Sequence, residues 1–107
     1  MHMLEKMDDV LEILWGNAME ADRYAQMACE MEERCRGAAD WYRDMATKHL
    51  EFNVAGRTLF DRMRGEMRTD ANHAAHSEGA LMVYEKQLAK LSRHCAQTRS
   101  MLDAYNK

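Results

Sequence analysis

Two histidines three residues apart are the simplest pair in this chain that could hold a metal ion. His73 and His76 are predicted to lie near the start of a helix, where residues at i and i+3 share a face. Two imidazoles alone do not hold zinc, so a carboxylate such as Glu66 or Asp70 would have to join them. The pattern is more typical of two surface histidines, and a metal site is the lesser hypothesis.

Three sulfur-containing residues form a second candidate metal site. Met27, Met31 and Cys35 recur at i, i+4 and i+8, a spacing that would align soft ligands for Cu(I) along one helix face. The chain has 11 methionines, but they are spread over its whole length. Because methionine commonly fills gaps in hydrophobic cores, copper binding also remains a lesser alternative.

The residues do not form a recognisable catalytic group. No glutamate is followed by histidine three residues later, although di-iron bundles of the ferritin-like type use that pair. His94 and Cys95 are adjacent, so on a helix they point in different directions and do not form a nucleophile–base pair. The sequence leaves enzyme activity undecided, favours a non-catalytic protein and predicts no cofactor.

Composition narrows the class of protein. The 107 residues include no proline and carry a formal net charge of −3, with acidic and basic residues intermixed. There is no basic block to bind nucleic acid and no apolar run long enough to span a membrane. Three cysteines, an odd number, fit reduced thiols better than a disulfide framework, which predicts a cytoplasmic protein.

Three long stretches have the apolar periodicity of helices. We predict one domain over 1–107, with helices at about 3–36, 39–64 and 71–105. Short connections make neighbouring helices antiparallel, which predicts an all-α, up-down-up three-helix bundle with coiled-coil-like packing. The predicted core seam of the first helix is Leu4, Met7, Leu11, Leu14, Ala18, Ala21, Ala25, Ala28 and Cys35. The second seam is Ala38, Tyr42, Met45, His49, Phe52, Gly56, Leu59 and Met63. The third is Ala74, Ser77, Leu81, Tyr84, Leu88, Leu91, Cys95, Thr98, Leu102 and Tyr105.

Placing the first turn near Gly37 sets the predicted pairing of the first two helices. Ala18 then meets Gly56, where two small residues let the backbones approach closely. Glu32, the single polar break in the first seam, falls beside Tyr42 and Thr98. Since a buried carboxylate needs hydrogen-bond partners, these three residues are predicted to form a buried polar layer.

The third helix has a second periodic stripe on its outer face. Ala75, Met82, Ala89 and Ala96 repeat every seven residues, and Val83 widens the stripe. Such a stripe is typical of helix–helix association. We therefore predict a small non-catalytic interaction or structural protein, paired with a second copy or with another protein. The alternative is a metal-binding bundle of the ferritin-like or copper-sequestering type.

Overall fold

In the part of the chain that the structure describes, the protein is an antiparallel bundle of three long helices. A computed structural model describes residues 3–69 and 74–105, with helices α1 (Met3–Met31), α2 (Arg36–Thr69) and α3 (Ala74–Tyr105). The bundle is a rod of 58 × 19 × 15 Å. The predicted all-α three-helix architecture is confirmed.

The closest helix pair is α1 with α2, and small side chains make this approach possible. Ala18, Ala21, Ala25 and Ala28 are fully buried, as the seam of the first helix predicted. On α2, Gly56 faces α1: a Cβ atom added there would lie 2.7 Å from Leu14 Cδ2. Gly56 therefore does allow close approach, but the side chain that it faces is that of Leu14 and not the predicted Ala18.

The first turn comes earlier than predicted. It comprises residues 32–35, and α2 begins at Arg36, so Gly37 lies inside a helix. The amides of Arg34 and Cys35 both donate to the Met31 carbonyl, at 3.1 and 2.8 Å. These bonds close the turn without a left-handed glycine. At its other end α2 runs through Gly65 to Thr69, beyond the predicted end at residue 64.

Because the turn is displaced, α2 buries a different face from the predicted one. Phe52 and Leu59, predicted as core, are 59% and 43% exposed. A shift of one residue rotates the buried face of a helix by about 100°. The residues of α2 that are buried are Ala39, Ala46, Leu50, Asn53, Phe60, Met63 and Met67. The new face buries the full ring of Phe60 against Tyr84, with ring centroids 5.3 Å apart.

The predicted seam of α3 agrees with the structure over the described side chains. Leu81, Tyr84, Leu88, Leu91, Thr98 and Leu102 are buried, and Cys95 is partly buried. Ala74, Ser77 and Tyr105, also predicted for this seam, have side chains outside the described part of the structure.

Tyr84 ties α3 to the start of α1. Its hydroxyl lies 2.6 Å from Asp8 Oδ1 and 3.2 Å from the Leu4 carbonyl oxygen. Burial, together with the hydrogen bond to the Asp8 carboxylate, raises the pKa of Tyr84 well above its usual value of 10.0. The phenol therefore remains a hydrogen-bond donor even in alkaline solution.

Replacing Gly56 with leucine should destabilise the bundle by about 1–3 kcal/mol, because the new side chain must displace buried Leu14. The matched control is Gly65→Leu in the same helix, where no atom lies within 4 Å of an added Cβ. That control should be neutral or stabilising, since glycine is a poor helix former. Urea denaturation of both variants measures the difference. Equal stabilities would contradict the close contact.

Replacing Tyr84 with phenylalanine should lower stability at neutral pH by about 1 kcal/mol, through loss of the hydrogen bond to Asp8. The folded-state pKa is raised, so the contribution of the phenol is complete below pH 10 and is lost as the pH rises above it. Wild type should therefore lose more stability above pH 10 than Tyr84→Phe. Parallel stability curves for the two proteins in that range would contradict this coupling.

Candidate functional site

The structure does not assemble the predicted histidine metal site within its described part. His73 and the side chain of His76 lie outside the described residues. Among the side chains that are described, no three from histidine, cysteine, aspartate and glutamate come close enough together to hold a metal ion. The histidine site accordingly stays an untested prediction.

The proposed copper ligands do not follow one helix as the spacing predicted. Met27 and Met31 lie half-buried in the last turns of α1, but Cys35 is exposed in the turn after the helix ends. The reason is the early end of α1 at Met31, which removes the helical i+8 relation on which that prediction depended. The predicted alignment of the three sulfur atoms on one face is therefore wrong.

The predicted buried polar layer does not form. Thr98 is buried, but its hydroxyl donates to the His94 carbonyl of its own helix at 3.2 Å. Glu32 lies partly exposed in the first turn, and in the described structure no hydrogen bond joins it to Tyr42 or Thr98. The early turn again explains the difference, because it takes Glu32 out of the helix.

The predicted stripe on α3 is open to solvent. Met82 and Val83 are 57% and 55% exposed, and Ala89 and Ala96 are also exposed. The side chain of Ala75 falls outside the described residues. This exposure is what a docking surface requires, while association itself stays a prediction.

A line of aromatic rings follows the border between α1 and α2. This aromatic strip consists of Tyr24, Trp41, Tyr42, His49 and Phe52, and its successive ring centroids are 5.2–6.1 Å apart. Trp41 and Phe52, at its two ends, are 54% and 59% exposed. The predicted seam of the second helix did not show this surface, because it assigned Tyr42, His49 and Phe52 to the core.

Apolar exposure continues beyond the aromatic strip along both helices. Ile13 is eleven residues from Tyr24, and Leu59 is seven residues from Phe52, so each pair shares a helix face. Ile13 and Leu59 are 61% and 43% exposed. The strip is therefore part of a longer apolar surface.

Charged groups border the aromatic strip on α1. Arg23 lies 4.7 Å from the centre of the Tyr24 ring and 2.7 Å from the Glu20 carboxylate. The hydrogen bond from Arg23 lowers the pKa of Glu20, so this carboxylate stays charged at neutral pH. An apolar centre beside charges of both signs is typical of a protein–protein interface.

A separate groove lies between α2 and α3, which are the least closely packed pair of helices. This α2–α3 groove has a volume of about 350 Å³. Its walls are mainly apolar and include Leu50, Val54, Leu91, Cys95 and Ala96.

One buried polar side chain interrupts the wall of the α2–α3 groove. Asn53 is only 5% exposed, and its Nδ2 donates to Cys95 Sγ at 3.2 Å. Its Oδ1 is buried and has no hydrogen-bond partner among the described residues. Burial raises the pKa of the Cys95 thiol, so this cysteine is protonated at neutral pH and is a poor nucleophile. Cys95 therefore does not give the groove an activated thiol.

Comparison with known proteins identifies no relative. No family model, no curated protein and no solved structure matches the chain. Within the described ranges, none of the helices has the apolar length needed to cross a membrane.

Replacing Asn53 with leucine should stabilise the protein by about 1 kcal/mol, because the similarly sized side chain removes a buried acceptor that has no partner. Asn53→Asp should do the opposite, since it places a carboxylate in the same buried position. Thermal and urea unfolding measure both effects. A less stable Asn53→Leu variant would show that the amide is needed for the fold.

Proposed function

We propose that this protein is a non-catalytic helical bundle that pairs with a second copy through the aromatic strip. The observation that carries the proposal is the exposure of Trp41 and Phe52, each more than half open to solvent at the ends of a continuous line of rings. Aromatic side chains of this kind supply most of the binding energy in many interfaces.

The size of the surface supports a second copy as its occupant. From Trp41 to Leu59 this face of α2 extends over about 27 Å, at 1.5 Å per residue, and it includes the exposed Lys48 among its apolar side chains. Two adjacent helices present a width of about 20 Å, giving an area of the same order as the roughly 800 Å² per partner of a stable complex. Because Arg23 and Glu20 lie at one border, a two-fold arrangement can set charges of opposite sign against each other.

The outer stripe of α3 is the second candidate interface. Its exposed members Met82, Val83, Ala89 and Ala96 could also pack against a copy or another helical protein. We favour the aromatic strip because alanine contributes little buried area, whereas each aromatic ring buries a large one. The three cysteines are free, which supports a cytoplasmic location for the protein.

Phe52→Glu should convert the dimer into a monomer, because it replaces an exposed ring of the proposed interface with a charge. The mass in solution, measured by light scattering after gel filtration, provides the test. Gly65→Glu is the matched control, since Gly65 is exposed on α2 beyond the apolar surface, and no atom lies within 4 Å of a Cβ added there. The control should remain dimeric, and circular dichroism should show unchanged helix content for both variants.

Ala89→Glu distinguishes the two candidate interfaces. If Ala89→Glu gives monomers and Phe52→Glu does not, the protein self-associates through α3 and the assignment to the aromatic strip is wrong. A wild-type protein that stays monomeric at high concentration would overturn the proposal of self-association.

A further inference from the structure

We propose that the α2–α3 groove binds a small apolar molecule that carries an anionic group and a hydrogen-bond donor. An aromatic carboxylic acid with an N–H or hydroxyl group represents this class. The site is separate from the aromatic strip, and the inference does not depend on self-association.

The requirement for a donor comes from Asn53. An unpaired buried acceptor costs the folded protein about 1–3 kcal/mol, so such atoms are rare in native structures. Here Nδ2 is used by Cys95, which holds the amide in place and leaves Oδ1 as the acceptor without a partner in the described structure. Oδ1 is closed to solvent in the free protein, so a ligand N–H or O–H group reaches it only when the adjoining side chains of the groove move apart. The hydrogen bond then forms in a setting where water competes weakly.

The apolar part of the ligand is defined by the walls of the groove. Leu50 and Val54 come from α2, and Leu91 and Ala96 face them from α3. The volume of about 350 Å³ lies within the range of about 300–1,000 Å³ typical of small-molecule sites. Gaps between the helices of a bundle are a common position for such sites.

The requirement for an anion comes from two arginines. Arg57 and Arg99 are the charged residues that line the groove in the described structure, and no carboxylate lines it there. Arg57 donates to Ser92 Oγ at 3.1 Å and to Asp61 at 3.3 Å, so its position is held. Arg99 is exposed, and its charge acts on the neighbouring Cys95 thiol. A carboxylate at this border of the groove would gain a charge-assisted hydrogen bond.

The test uses indole-3-butyrate, which carries an N–H donor on an apolar ring system and a carboxylate at its far end. Two-dimensional NMR of isotope-labelled protein should show shifts for residues of the groove, with a Kd of about 0.1–1 mM, as expected for a ligand of this size. The N-methylated derivative lacks the donor and should bind about 5–10-fold more weakly.

Variants connect the effect to individual side chains. Asn53→Leu should bind both indoles equally, because the atom that distinguishes them is gone. Arg99→Gln should weaken binding of both about 3–10-fold. The matched control Arg93→Gln changes an exposed arginine of α3 that does not line the groove, and its affinity should equal that of wild type.

Any of three results would overturn the proposal: no shifts up to 5 mM ligand, shifts confined to the aromatic strip, or equal binding of the two indoles by the wild-type protein. Phe52→Glu and Ala89→Glu should keep the wild-type affinity, so a monomeric protein that still binds separates this site from self-association.

Discussion

The close contact between α1 and α2 is the constraint from which the other features of the bundle follow. Four alanines of α1 are fully buried, and Gly56 of α2 leaves room for Leu14. Small residues bring the two helix axes together, which increases dispersion contacts along the rod. They also leave no space between these helices for large rings. Bulky side chains must therefore be accommodated at the edges of this contact or against α3.

The aromatic strip is one result of that constraint. Tyr24, Tyr42 and His49 lie at the border of α1 and α2, where their rings contact one another and stay partly exposed. Aromatic pairs at these distances contribute about 0.5–1.5 kcal/mol beyond the area that they bury. The same arrangement leaves Trp41 and Phe52 extending into solvent. The close packing of α1 on α2 therefore also produces a surface suited to a partner.

The α2–α3 groove is the other result. Helix α3 packs more closely on α1 than on α2, with Tyr84 joined to Asp8 and the ring of Trp15 lying 6.3 Å from that of His94. Because α3 is held on the side of α1, a groove remains between α3 and α2. Asn53 lines this groove, and its side chain holds a buried acceptor that has no partner among the described residues.

Composition and periodicity determined the fold class, the buried faces of α1 and α3, and the close approach at Gly56, although its partner is Leu14 and not the predicted Ala18. The face of α2 was decided by tertiary structure. Its apolar residues form two adjacent stripes on the helix surface. One stripe passes through Phe52 and Leu59, and the other through Leu50 and Phe60. The choice between them depends on where the first turn closes, and hydrogen bonds to the Met31 carbonyl close it at residues 32–35. Apolar periodicity describes one helix at a time and does not specify where the turn between two helices closes. For this reason the aromatic strip and the α2–α3 groove could be identified only in the packed structure.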